Sequence, residues 1–307
     1  MQKRKLGKTG LEVAPLGLGG MDLHWMEEKS AERFLNTALD SGITYIDTSP
    51  EYPMSEYYIG KLIAHRRNEY VLATKCGDNM TGIGNLYQFD RKTIMDNAEE
   101  SLRLMKTDRL DVIQLHGVIP EILPGEAFGE AMEAMRELKR SGKVLHLGVT
   151  LCNRGPDRYG FPAIFSYNSL LRFSTWQDID VIQIVYGCMT RMCENVIQKA
   201  YDDYKVGIVA RGIVKNYDNT YNERFEVARL EELFEEGESK HDFLIRYALS
   251  HPGLSCSLIG TRNIIHLEEN INAAKKGPLA PEIYEEAKRR LNFAGAIAGP
   301  IDMKLDW

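Results

Sequence analysis

The chain has 307 residues, 44% of them hydrophobic and 27% charged, with 38 basic against 44 acidic side chains and a formal net charge of −6. This composition excludes disordered and collagen-like chains, and the length excludes a small disulfide-stapled scaffold, because a chain this long buries a sizeable core. The acidic balance argues against nucleic-acid or anionic-membrane binding, and the length leaves open two ordinary domains or one large α/β barrel.

The five cysteines are odd in number and form no C-x-x-C pair, so neither a disulfide framework nor a zinc knuckle is expected, and no metal centre is expected. The N-terminus lacks an apolar leader, and no apolar run approaches the roughly 18 residues of a membrane span. A cytoplasmic protein with reduced thiols is expected.

Along the chain, Leu6 to Glu12 reads as a hairpin around the turn Gly7 to Gly10. Short apolar runs then alternate with longer helical patterns. Leu16–Leu18 is a first strand and Ser30–Leu39 its helix. Thr44–Asp47 and Glu56–His65 follow, then the strand Val71–Lys75. Asp90 has the position of an N-cap for a helix through Met105, with Ile94, Ala98, Leu102 and Met105 on one face. Leu110–Leu115, Gly129–Arg140, Val144–Val149 and a helix near Pro162–Phe173 continue the rhythm. Val181–Val185, Glu194–Tyr204 and Gly207–Ala210 come next. The loop Lys215–Asn222 leads to helices at Phe225–Glu235 and Asp242–Leu249. Ser257–Ile259 is an eighth strand, followed by helices at Ile264–Ala274 and Pro281–Leu291. Strands alternating with helices predict parallel βαβ units. No linker-like composition divides the chain, so residues 1–307 are expected to form one unit.

Polar residues stand at the strand ends: Asp47, Lys75, His116 and Arg211, with Gln183 inside the sixth strand and Gly260, Thr261 and Arg262 after the eighth. In a closed parallel barrel these ends share the face that carries the active site. Asp47, Tyr52, Lys75 and His116 suit acid-assisted hydride transfer. A buried ammonium lowers a nearby phenol's pKa, a carboxylate holds the ammonium, and a histidine orients the carbonyl, while the hydride comes from a cofactor. A different barrel enzyme, with Lys75 forming a Schiff base, is a further reading of the same residues.

The run Tyr45 to Tyr52 (YIDTSPEY), with Ser55, Glu56, Ile59 and Gly60 after it, resembles the signature of the aldo-keto reductase family. So do Leu72 to Lys75 (LATK), Asp111 to His116 (DVIQLH) and the opening KLGKTG and LGLGG at Lys5 to Gly10 and Leu16 to Gly20. The match runs in order from about residue 3 to residue 275. The resemblance implies an α/β fold, a (β/α)8 TIM barrel with an N-terminal β-hairpin and extra C-terminal helices. It implies NADPH-dependent reduction of an aldehyde or ketone, or the reverse oxidation, with Tyr52 as general acid, Lys75 and Asp47 tuning it and His116 orienting the carbonyl. A cofactor-binding redox-sensing or regulatory subunit with slow turnover is the alternative.

The early glycines do not make a dinucleotide fingerprint, because position 22 is Asp where G-x-G-x-x-G needs its last glycine. Ser257 to Arg262 (SLIGTR), ahead of a helix, fits an anion site better. By resemblance, Arg262 would meet a 2′-phosphate, with Thr261 and Asn270 supporting and Glu269 near the adenine amino group. NADP(H) is expected rather than NAD(H). Three positions depart from the family pattern. Thr150 stands for a nicotinamide-gripping serine whose asparagine partner comes late, at Asn153, while Gln183 matches the other amide contact. Arg211 replaces a stacking aromatic, and Gly260 stands where many relatives carry lysine. The substrate, a small carbonyl compound or alcohol, would meet the loops Met21–Met26 (with Trp25), Gly77–Phe89 and Gly117–Pro124 and the tail Phe293–Trp307. A monomer is expected.

Overall fold

The computed structural model of the protein describes residues 1–81, 87–118, 125–151, 166–215 and 221–299. Asn153 and Trp307 lie outside the described residues, as do parts of the expected mouth loops. Strands β1 (Arg4–Lys5) and β2 (Glu12–Val13) form a small antiparallel hairpin, with Arg4 opposite Val13. Eight further strands close into a parallel barrel. They are β3 (Leu16–Gly19), β4 (Tyr45–Asp47), β5 (Val71–Cys76), β6 (Leu110–Leu115), β7 (Val144–Thr150), β8 (Val181–Val185), β9 (Gly207–Arg211) and β10 (Cys256–Ile259). Neighbours in sequence are neighbours in the sheet, and β10 closes the ring by pairing with both β9 and β3. The expected (β/α)8 barrel with a hairpin ahead of it is the observed fold.

The helices α1 (Glu28–Asp40), α2 (Pro53–Tyr58), α3 (Arg91–Leu104), α4 (Gly125–Arg140), α5 (Ser166–Ser174) and α6 (Glu194–Tyr204) alternate with the first strands. After β9 come α7 (Tyr221–Val227) and α8 (Lys240–Ser250), and after β10 come α9 (Ile264–Lys275) and α10 (Pro281–Phe293). Asp90 does cap α3, accepting from Thr93 N at 2.9 Å. Two expected helices differ. The one expected over Glu56–His65 starts earlier, at Pro53, whose fixed φ suits a first helical position. It then loosens into a π-type turn over Ile59–Ile63 and a 3₁₀ segment over Ala64–Glu69. The helix expected over Phe225–Glu235 is divided, because Arg229 takes a left-handed φ of 50° between α7 and a 3₁₀ turn at Leu230–Leu233.

Period-two alternation along the strands explains where everything sits. Ile46, Leu72, Ile113, Leu147, Ile182 and Ile208 belong to the large core shared with the helices. Their neighbours Tyr45, Val71, Ala73, Val112, Val181, Val209 and Cys256 form a second, smaller core with Leu6 and Val13 of the hairpin region. That hairpin closes the end of the barrel. Leu6 is wholly buried, and Arg4 donates to the carbonyls of Leu254 and Leu249 at 3.1 and 2.5 Å. Gly7 follows at φ 53°, and a Cβ there would lie 2.1 Å from Gly207 N, so only glycine fits. Two residues further along the inward rows, the apolar side chains give way to Asp47, Lys75, Gln114, Gln183 and Arg211. Among the described residues no helix is long and apolar enough to cross a membrane; Cys76, Cys188 and Cys256 are free thiols, and they and Cys193 are buried.

Candidate active site

At the C-terminal ends of the strands, Lys75 Nζ lies 2.7 Å from Asp47 Oδ2 and donates equally closely to Thr48 O. Both side chains are buried. The second carboxylate oxygen, Asp47 Oδ1, accepts from Gln114 Nε2 at 3.0 Å and Gln183 Nε2 at 2.8 Å. A buried ion pair whose remaining acceptor sites are met by amide donors is held in one geometry. Gly148 makes room for this: a Cβ there would come within 2.6 Å of Val181 O and 3.1 Å of Gln114 Cγ. Thr150 Oγ1 donates to Gln114 Oε1 at 3.4 Å, a long bond at the end of the same chain.

Tyr52 enters from the loop after β4, just ahead of Pro53 and α2. Its amide donates to Ser49 O at 2.8 Å, fixing the turn. Lys75 Nζ sits 5.9 Å from the centre of its ring. The phenol differs from the sequence expectation in one respect. Burial first, then the carboxylates of Asp47, Glu51 and Asp78, push its pKa well above the ordinary value, against an opposing pull from Arg211. Burial and the neighbouring carboxylates outweigh the lowering expected from a cation beside the phenol. Tyr52 therefore holds its proton throughout the neutral range.

His116 follows β6 and is buried. Its Nδ1 lies 2.6 Å from Asp78 Oδ1, 3.4 Å from Ser49 Oγ and 3.8 Å from Glu51 Oε2. Ser49 Oγ donates to Asp78 Oδ2 at 2.9 Å. The Tyr87 ring lies 5.2 Å from the imidazole, tilted by 49°. Glu51, Asp78 and His116 bring ligand atoms within 4.8 Å of one another. Hydrogen bonding already accounts for Asp78 and His116, so the set carries no metal assignment.

Asp47, Tyr52, Lys75, His116, Thr150, Gln183 and Arg211 thus meet at one mouth. Gln183 turns its amide nitrogen to Asp47, and its Oε1 is buried with no partner among the described residues. An orphaned amide oxygen at that depth fits a nicotinamide carboxamide, whose N–H groups would satisfy it. Arg211 is tied by Nη2 to Leu151 O at 3.2 Å. Trp25 is 56% exposed and meets His24 edge-on at 5.2 Å.

Gly260, Thr261 and Arg262 stand on the rim between β10 and α9. A cleft of about 580 Å³ opens there, lined by Ser30 and Arg33 of α1 and by Thr261, Arg262, Asn263 and His266. Asn263 caps α9, accepting from Ile265 N at 2.9 Å. A carbon on Gly260 would stand 3.1 Å from Asp22 Oδ2, so Asp22 borders the site of the missing lysine. Glu269 is exposed on α9, whereas Asn270 is buried with its Oδ1 2.5 Å from His241 Nε2 on α8. Asn270 is thus paired with α8 and is not among the residues that line the cleft.

The sequence reading missed Gln114, Ser49, Asp78 and Arg33. A glutamine inside the apolar run of β6 is a signal that alternation could have caught. Asp78 was hidden, because it reaches His116 only through the turn at Gly77, where φ is 88°.

The sequence pattern of the Aldo/keto reductase family matches residues 15–290. The chain is 27% identical to "Uncharacterized oxidoreductase YqkF" of Bacillus subtilis over 92% of its length and 94% of that protein's. It is 28% identical to "Aldo-keto reductase YhdN" of the same organism over 87% of each. Its fold is similar to that of the holo form of aldo-keto reductase AKR11C1 from Bacillus halodurans, with a TM-score of 0.80, 25% identity and coverage of 94% and 96% of the two chains. With the family pattern spanning the whole barrel, the chain belongs to the aldo/keto reductase family of NAD(P)-dependent oxidoreductases.

Proposed function

We propose that this enzyme reduces an aldehyde or ketone with NADPH, or runs the reverse oxidation, and that Tyr52 is its general acid. The observation that carries this reading is the Tyr52 phenol beside the buried Lys75–Asp47 pair at the mouth. The nicotinamide cofactor supplies the hydride when bound. The chain's own residues hold the carbonyl oxygen between Tyr52 and His116 and exclude water from the buried pair. A phenol that keeps its proton through the neutral range is a store of acid for that oxygen. Lys75 keeps a positive charge nearby to favour the phenolate that forms.

The rim supports NADP(H) over NAD(H). Arg33 and Arg262 line the same cleft, and neither has an ion-pair partner among the described residues. Two unpaired guanidiniums fit a phosphate monoester on the adenosine ribose. Gln183 Oε1 and Thr150 would hold the other end of the cofactor. The enzyme acts as a monomer in this reading.

The test follows NADPH absorbance with short aldehydes. Tyr52→Phe is expected to lose at least about 100-fold in kcat/KM, while NADPH still quenches tryptophan fluorescence as in the wild type. Arg262→Ala is expected to weaken NADPH about tenfold or more and to leave NADH unchanged. Wild-type rates in Tyr52→Phe would remove Tyr52 as the donor. Equal losses for both cofactors in Arg262→Ala would remove the phosphate assignment.

A further inference from the structure

We infer that Arg211 decides which redox form of the nicotinamide cofactor this mouth holds: its guanidinium lies against the site of the ring, so the cationic oxidised ring binds there more weakly than the neutral reduced one. This rests on the cofactor part of the reductase reading above and adds to it a residue that ranks NADPH over NADP⁺.

The register of the barrel places that guanidinium. Gln183 on β8 is paired with Val209 on β9, and Val185 with Arg211. Arg211 therefore stands two residues nearer the mouth than the level of Gln183, on the neighbouring strand and in the same inward row as Val209. Its Nη2 donates to Leu151 O at 3.2 Å, just beyond β7. Leu151 N in turn donates to Gln183 O at 2.8 Å. With β7, β8 and β9 adjacent in the ring of strands, the side chain spans the mouth end of β8, the strand that carries Gln183. The buried Gln183 Oε1, without a partner among the described residues, is an acceptor for a carboxamide N–H. A carboxamide is bonded directly to the nicotinamide ring, so a ring held there lies at the strand ends that Arg211 bridges.

The chain does not neutralise this charge. Among the described residues Arg211 forms no ion pair, and the bond to Leu151 O is its one side-chain hydrogen bond. The carboxylates of the mouth are engaged elsewhere: Asp47 with Lys75, Gln114 and Gln183, and Asp78 with Ser49 and His116. Glu51 lies after β4, 3.8 Å from His116 Nδ1. The field of the guanidinium reaches as far as Tyr52, whose phenol it pulls against the rise caused by burial. The reduced ring is uncharged, whereas the oxidised ring carries a positive charge. The rim meets the same phosphates in both forms, so the two differ at the ring alone. Arg211 is partly buried. A like charge held against such a guanidinium, with little solvent between them, costs the oxidised form at least about tenfold in affinity. NADP⁺ is accordingly held loosely and gives way to NADPH after each turnover.

Calorimetric titrations test this without turnover. In the wild type the Kd of NADP⁺ is expected to exceed that of NADPH by at least about tenfold. NADP⁺ is also expected to bind no more tightly than 2′-phospho-ADP-ribose, which lacks the ring. In Arg211→Gln the ratio of the two Kd values is expected to fall about tenfold, through tighter NADP⁺. Arg211→Lys keeps the charge and is expected to keep most of the ratio, while Arg262→Ala is expected to weaken both forms equally and leave the ratio intact. Equal affinities for the two forms in the wild type would overturn the inference, and that comparison needs no variant to fold. NADP⁺ binding far more tightly than its ring-free analogue, an unchanged ratio in Arg211→Gln, or a lysine variant that behaves like the glutamine one would overturn it too, with the reductase reading left standing. Should the wild type bind neither form, the reductase reading itself fails and takes this inference with it.

Discussion

Glu56 is wholly buried beneath the active site, and only one of its oxygens is satisfied. Oε1 accepts from Thr74 Oγ1 at 2.7 Å and Ser101 Oγ at 2.8 Å, while Oε2 has no partner among the described residues. Burial raises its pKa from the ordinary 4.5 to about 7. The folded state therefore binds a proton that the unfolded chain has already released across that window. Stability is fully present below about 4.5, falls as pH rises toward about 7 and levels off above it. The difference amounts to roughly 3 kcal/mol. Glu56→Gln keeps the acceptor and removes the titration, so urea unfolding from pH 5 to pH 8 is expected to lose this slope. A mutant as pH-dependent as the wild type would show that Glu56 is ionised in the fold. At this scale the sequence was half legible. Asp47, Lys75 and His116 declare themselves because polar residues end apolar strands. Glu56 and Asp78 do not, since their partners come from elements 18 to 45 positions away.

Among the elements, the C-terminal end of α10 is docked through a buried arginine. Arg191 is fully enclosed and pairs with Glu194 through Nε at 2.9 Å and Nη2 at 2.6 Å. Its Nη1 donates to Asn292 Oδ1, Ala296 O and Lys288 O at 2.9, 2.8 and 3.2 Å. Glu194 in turn accepts from the hydroxyls of Tyr247 and Tyr186 at 2.9 and 3.1 Å. One guanidinium thus satisfies carbonyls at the C-terminal end of α10 and joins that helix to α6 and α8. Arg191→Met leaves Glu194 buried without its countercharge and is expected to cost about 3–5 kcal/mol. In hydrogen exchange the amides of α10 are expected to lose protection before those of the barrel strands. Loss spread evenly over both would mean that α10 is not docked through Arg191. Helix positions were legible from apolar periodicity and caps, as α3 shows. The break at Arg229 was not, because a left-handed non-glycine residue leaves no compositional mark.

The whole barrel was legible from the count and alternation of strands, since each strand end reports its own layer. The sequence did not reveal that the interior is two stacked compartments, apolar toward the hairpin and polar toward the mouth. That division depends on register, which only pairing between strands sets. Leu6 is the floor between the apolar compartment and solvent. Leu6→Ala is expected to destabilise by about 2–5 kcal/mol. The cost is expected to appear as faster unfolding with folding rates unchanged, because a floor can be laid only after the walls stand. Folding rates slowed in proportion would place the hairpin in the transition state instead.

This has a consequence for how the chain is made. Arg4 finds its partners at Leu249 and Leu254, and Leu6 belongs to the same small core as Cys256 and Leu258. The hairpin segment therefore waits, unplaced, until synthesis has run through β10. A nascent chain stopped before β10 has an N-terminal hairpin with nowhere to dock, so that hairpin's protection from proteolysis would report that synthesis had passed the last strand.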